Sequence, residues 1–282
     1  MSTRLHPRTR RRTARVITYI VLGMGLAVWL FPFLWMALGS FKTQAELLQF
    51  PPTMWPQTVT GANYARWFFD LGIGGYFANS VVIAGVTVLG NLVFCSMVGY
   101  ALAKLQFWGK RLLFALVMVT LMVPGIVTFI PLFVLVSDMG LIGTYPGLIL
   151  PFLTSPMGVF LMRQFIYSIP DELLEAARID GAGELRIFAR VVMPLCGPAL
   201  ATLGVLTFLS SWNNFLWPLV ASQNQRMFTL PVALSLNAIG QNGTDHGLFL
   251  AGSVLIIVPI LLVFVALQRF VIQGIATTGL RG

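Results

Sequence analysis

Side chains able to do chemistry together gather in two stretches of this chain, and neither has the makings of a covalent active site. The first runs Ser168-Ile-Pro-Asp-Glu-Leu-Leu-Glu-Ala-Ala-Arg-Ile-Asp-Gly-Ala-Gly-Glu-Leu-Arg-Ile-Phe-Ala-Arg-Val-Val-Met-Pro194, charged residues set among small and apolar ones. The second is Ser210, Ser211, Trp212, Asn213 and Asn214, whose hydroxyls, amides and indole suit hydrogen bonding rather than bond breaking. His6 and His246 form no His-Glu-x-x-His pair, no Gly-x-Ser-x-Gly is present, and Gly109-Lys110-Arg111 lacks the spacing of a phosphate-binding loop. Cys95 and Cys196 both sit in apolar sequence, with no metal or disulfide spacing. Neither a catalytic residue nor a metal site is expected on this chain.

The elements that must position these stretches lie in lipid. Hydrophobic residues make up 57% of 282 and charged residues only 10%, against about 25% charged in an average soluble domain. Six runs reach the roughly 20 apolar residues a helix needs to cross a bilayer: Val16–Phe41, Phe77–Ala103, Leu112–Val136, Gly147–Ile169, Leu195–Ala221 and Leu248–Ile272. They are continuous rather than alternating, which excludes a barrel. The first is too long for a signal-peptide core, and no cleavage site follows it. The fold class expected is all-α integral membrane, with a basic arm over 1–15, one transmembrane domain over 16–275 and a tail over 276–282.

Cation placement orients the bundle. Six arginines crowd the arm, and one side of the six spans collects 15 Lys and Arg against Lys42, Arg66 and Arg226 on the other. That bias puts both termini in the cytoplasm, and it reads the net charge of +9 as topology rather than nucleic-acid binding. The outer loops are then 42–76, 137–146 and 222–247. A short amphipathic stretch around Tyr64–Phe69 suits the membrane interface. No acidic residue falls inside a span, so a proton-coupled carrier, which usually carries one there, loses support. An ion-coupled carrier or channel remains the contrasting reading.

The loop 168–194 reads locally as two short helices. Ser168 is placed to cap the first, Pro170 suits its first turn, and Asp171 and Glu172 complement its dipole. Gly181 supplies a left-handed end, and Pro194 stops the second piece. Left to itself, such an amphipathic plug either caps the bundle or presents a surface to a partner. Glu175-Ala176-Ala177, three residues, Gly181, nine residues, then Val191-x-Met193-Pro194 resembles the EAA motif of ABC importer permeases. The usual ending is Ile-x-Leu-Pro, from which Val191 and Met193 depart conservatively. The wording Pro170-Asp-Glu-Leu through Ala182, with Trp212-Asn-Asn-Phe-Leu-Trp-Pro-Leu219 and Gln268-Arg269-Phe-Val-Ile-Gln-Gly274, is similar to the carbohydrate-uptake, maltose-transporter branch.

That resemblance implies a type I ABC importer permease fold in the bacterial plasma membrane, without enzymatic activity of its own. ATP and Mg would be used by a separate dimer of ATPase subunits. Glu175, Ala176, Ala177, Asp180 and Gly181 would contact that ATPase as a coupling helix. A second permease chain would complete a heterodimer, and an extracytoplasmic binding protein would deliver the cargo. The cargo would be a sugar or related solute, with glycerol 3-phosphate or a polyol as the alternative. Ser210, Ser211, Trp212, Asn213, Asn214 and Asn79 are the candidate substrate path, with Asn91 and Thr154 behind them. Trp217 suits either a sugar face or the interfacial aromatic belt. Asn242, Gly243 and Thr244, at the tip of the last outer loop, would touch the binding protein or simply turn the chain. The tail from Ala276 would reach along the ATPase or stay solvated.

Overall fold

The apolar runs fold as helices because lipid offers the backbone no partner, and a helix satisfies its own N–H and C=O groups. The computed structural model describes residues 7–240 and 243–279. In chain order the elements are α1 (Pro7–Gly39), α2 (Gln44–Leu47), α3 (Ala62–Ala65), α4 (Ile73–Lys104), α5 (Lys110–Met122), α6 (Gly125–Asp138), α7 (Tyr145–Ile149), α8 (Pro156–Tyr167), α9 (Asp171–Ile179), α10 (Glu184–Ile187), α11 (Met193–Leu195), α12 (Gly197–Trp212), α13 (Leu216–Ala221), α14 (Leu230–Ala238), β1 (Ile239–Gly240), β2 (Gly243–Thr244) and α15 (His246–Gly279).

Three helical segments can each cross a bilayer alone: Arg15–Gly39, Ile73–Lys104 and His246–Gln268. Three bent pairs supply the rest, α5 with α6 at 106°, Tyr145–Phe152 with α8 at 43°, and Glu184–Leu195 with α12 at 82°. Counting each bent pair as one span gives up to six, with the third, fourth and fifth interrupted where the sequence suggested continuous ones. The sharpest break has a local cause. Val123 precedes Pro124, whose ring disfavours the helical region for its neighbour, and Val123 is extended at φ −82° and ψ 118°. Pro131 and Pro259 lie inside continuous helices. The 16 residues of α12 rise only about 24 Å, short of a hydrocarbon core of about 30 Å, so α13 must continue the span. Residues 276–279 of the expected tail continue α15 as helix, and 280–282 lie outside the described residues.

Contacts divide the chain into two compact units, one holding the residues up to Leu71 with Leu236–Leu255, the other Gly72–Ser235 with the residues from Ile256. In the first, Asn63 donates its amide to the carbonyls of Ser40 and Lys42 at 2.9 Å each, and Trp67 donates to Leu248 O at 2.9 Å. Trp67 is thus an internal anchor of the stretch expected at the interface, while Phe68 and Phe69 point outward. Lys42, counted in the sequence as an outer cation, is buried: its Nζ meets Thr53, and Glu46 accepts from Thr53 Oγ1 at 2.7 Å and Gln57 N at 2.9 Å. Those bonds, Thr53's first, hold the Glu46 carboxyl below its usual range.

In the second unit α4 packs along α8 and α12, and small residues set how closely. A Cβ on Gly99 would lie 2.9 Å from Arg163 N and 2.9 Å from Met162 Cβ. Gly85, on the same helix, has open space at that position. Gly99→Val should therefore cost about 2–3 kcal/mol by overpacking and lower the melting temperature by roughly 5–10 °C, with Gly85→Val near the parent. Thermal melting in detergent checks this, and equal effects at both positions would refute the close approach.

Candidate functional site

The loop 168–194 is built around α9. Pro170 occupies the position before the helix, Asp171 and Glu172 fill its first turn, and Arg178 its last, all in accord with the helix dipole. Ser168, expected as the cap, instead ends α8, with its hydroxyl donating to Phe165 O at 2.7 Å. Two residues therefore separate it from the helix it was to cap. At the far end Gly181 takes φ 80°. Gly181 N donates to Arg178 O and Ala182 N to Ala177 O, both at 3.0 Å, which is the paired pattern of a Schellman cap. Leu174 is 1% exposed and packs with Ile166, Ile169, Ile187 and Phe188. Glu175, Ala176, Asp180 and Gly181 are exposed and Ala177 is half-buried. Leu173, Ile179 and Leu185 add exposed apolar surface.

Two polar clamps hold this loop to the end of α4, and sequence reasoning missed both. Lys104 Nζ donates to Asp171 Oδ1 at 2.7 Å and to Ile169 O at 2.5 Å. Glu184 accepts from Arg178 Nε at 2.8 Å through one oxygen and from Tyr100 OH at 2.5 Å through the other. Lys104 holds the Asp171 carboxyl below its usual range, and Arg178, then Tyr100, does the same for Glu184. The only signal in the sequence was that Tyr100 and Lys104 stand four apart, on one helical face, where the span leaves the membrane.

Between α4, α8 and α12 lies a cavity of about 650 Å³, within the range of about 300–1,000 Å³ typical of small-molecule sites. Ser210, Ser211, Asn213 and Asn214 line it, joined by Thr87 and Asn91 from α4 and by Thr154 and Ser155 from the break before α8. Span five is non-helical at Asn213–Phe215, between α12 and α13. Irregular backbone at membrane depth is tolerated where it is buried in protein or lines a wet cavity. Trp212 stands apart from its neighbours: it is 2% exposed, donates to Ile256 O at 3.1 Å and stacks on Phe208. Asn79 is likewise spent inside, donating to Arg226 O and Phe228 O and accepting from Tyr145 OH at 2.6 Å. Trp217 donates to Gly147 O and is buried. None of these three side chains lines the cavity; its aromatic lining residues are Phe152 and Phe215.

In the last outer loop α14 forms over the apolar middle, as its sequence suggests, and β1 pairs with β2 through Ile239↔Thr244 and Gly240↔Gly243. Gly243 and Thr244 are thus strand residues, and Asn242 lies outside the described residues. Gln44 fixes the base, donating to Thr244 O at 2.9 Å and accepting from His246 N at 2.9 Å. Asp245 pairs with Arg66.

Known proteins are similar to this chain in sequence and fold. The profile of the family described as "Binding-protein-dependent transport system inner membrane component" matches residues 93–277. The arabinooligosaccharides transport system permease protein AraQ of Halalkalibacterium halodurans is 40% identical over 280 residues, covering 97% of this chain and 100% of that one. The sn-glycerol-3-phosphate transport system permease protein UgpE of Agrobacterium fabrum is 31% identical, covering 95% and 98%. Among solved structures, a chain of a bacterial ABC transporter involved in the import of the acidic polysaccharide alginate superposes with a TM-score of 0.81 at 26% identity, covering 95% of this chain and 99% of that one.

Proposed function

The chain belongs to the family of binding-protein-dependent transport system inner membrane components, and from that premise we propose that it carries a neutral oligosaccharide through the cavity beside α12. As a member it is a permease subunit of an ATP-driven importer. The observation supporting the cargo is the cavity lining, which pairs hydroxyls and amides with apolar walls and has no charged side chain among the described residues. Neutral polyhydroxylated solutes are met by such groups, whereas a phosphate or uronate calls for a cation. The relatives that handle glycerol 3-phosphate and alginate favour a second reading, an anionic cargo whose charge is met by another chain.

In this reading the chain has one transmembrane domain over 16–275 and both termini in the cytoplasm. It pairs with a second permease chain, and Glu175, Ala176, Ala177, Asp180 and Gly181 seat in a dimer of ATPase subunits, where ATP and Mg are bound. The hairpin at Gly243 and Thr244, with Asn242, faces the binding protein. The test is reconstitution of the complete transporter in liposomes with its binding protein. ATP-dependent uptake of labelled neutral oligosaccharides is expected, with little uptake of glycerol 3-phosphate or an oligouronate. Uptake of the anions alone would overturn the cargo, and uptake without ATP would overturn the coupling.

A further inference from the structure

Four hydroxyls inside the spans of this chain share one habit. Ser96, Thr120, Thr202 and Ser253 each donate to the carbonyl four residues back, at 2.5, 2.8, 2.9 and 2.8 Å, the ordinary outlet for a helical hydroxyl. Thr87 departs from it. It is 3% exposed, it lines the cavity beside α12, and its Oγ1 has no hydrogen-bond partner among the described residues.

The polar groups around Thr87 are already committed. Asn91, one turn along α4, donates to Thr87 O at 3.1 Å and Phe152 O at 2.7 Å, and its oxygen accepts from Ser155 Oγ at 2.8 Å. Ser155 in turn caps α8 by accepting from Gly158 N at 3.1 Å. Asn91 and Ser155 thereby stitch the broken fourth span to α4 and have little capacity left for a ligand. A buried hydroxyl without a partner is uncommon, because it gives up water and gains nothing. The Oγ1 itself is closed off from the cavity here, so a ligand group supplies what the fold does not once the wall shifts as the transporter cycles.

We propose that the Thr87 hydroxyl is the inner hydrogen-bonding contact for one hydroxyl of the transported carbohydrate. The proposal rests on the carbohydrate reading above. Thr87 is the specificity-determining residue of the α4 wall, and Ser210, Ser211, Asn213 and Asn214 of span five face the rest of the cargo.

The complete reconstituted transporter, with saturating loaded binding protein, provides the test. Turnover is measured for a neutral oligosaccharide and for its single-deoxy analogues, in the parent, Thr87→Val and Thr87→Ser. The parent should turn over the cargo about 10-fold faster than one of the analogues, since a site built to bond a hydroxyl discriminates against its loss. Thr87→Val keeps the shape and removes the hydroxyl. It should slow the cargo about 10-fold, to the rate of that analogue, and erase discrimination at that single position. Thr87→Ser should behave as the parent. Melting temperature controls for folding, and Thr87→Val should match or exceed the parent, having lost a buried orphan group. Parent-like turnover and discrimination in Thr87→Val would overturn the assignment and leave packing or a bound water as its role. Failure of the parent to move any neutral carbohydrate would instead sink the underlying reading, and this proposal with it.

Discussion

Replacing Glu175 with lysine should reduce ATP-driven uptake by at least about 30-fold while leaving the amount and melting temperature of the membrane-inserted protein unchanged. Glu175 is exposed on α9, one residue past the buried Leu174, so the substitution disturbs no packing. Its expected role is a polar contact with the ATPase. Reversing a charge in a docked polar interface leaves an unpaired, partly desolvated group, at a cost of about 2–5 kcal/mol. Co-purification of the ATPase with the tagged permease reads docking directly, and uptake reads coupling. Wild-type values for both would remove Glu175 from the interface. Glu175→Gln, which keeps the shape and loses the charge, should fall between the two.

Glu184→Ala should be the next largest in effect, and its mechanism differs. The variant removes the acceptor of two bonds at once, from Arg178 and from Tyr100. Arg178 is partly exposed and can turn to water, so little stability is lost there. Tyr100 is 4% exposed, and leaving its hydroxyl unpaired costs about 1–3 kcal/mol. ATPase activity should persist while uptake per ATP falls by about 10-fold, because only the Lys104 clamp then ties α9 to α4. Tyr100→Phe removes the donor instead and should be milder. In the double variant the two losses should be less than additive, the mark of a direct interaction. Additive losses would place the effect elsewhere.

The pH dependence of that clamp has a definite sign. The folded Glu184 carboxyl lies below its ordinary value, chiefly through Arg178. Its contribution is fully present above the unfolded value, about 4.3 for glutamate, and is lost as pH falls through the lowered folded value. Coupling should thus be insensitive to pH across the neutral and mildly acidic range.

Much of the fold was legible because it rests on local rules. The apolar runs and the Gly181 end of α9 follow from composition and short spacing. The interruptions were less legible. Pro124 announces one, but the break at Asn213–Phe215 shows in sequence only as a polar run, and the same run is equally compatible with a helix that bonds its neighbours. Within that run sequence could not separate Trp212 from Ser210, Ser211, Asn213 and Asn214, because its partners Ile256 and Phe77 come from tertiary packing. The clamps were invisible for the same reason, joining residues from 67 to 84 positions apart at Lys104–Asp171 and Tyr100–Glu184. Thr87 gave no signal at all, since an apolar span with one threonine is ordinary until its missing bond is seen.

The unbroken run of α4 has a mechanical consequence. Tyr100 and Lys104 sit at one end of it and Thr87 borders the cavity along the same rod, about 20 Å from Tyr100 at 1.5 Å per residue. With no proline and no break between them, the segment acts as a stiff lever rather than a chain of adjustable joints. A tilt of roughly 10° pivoting at the clamped end would sweep Thr87 sideways by about 3–4 Å, more than the reach of a hydrogen bond. A push on the loop would therefore arrive at the cavity as displacement, without passing through a hinge, and a solute held there would gain or lose its contact in a single stroke.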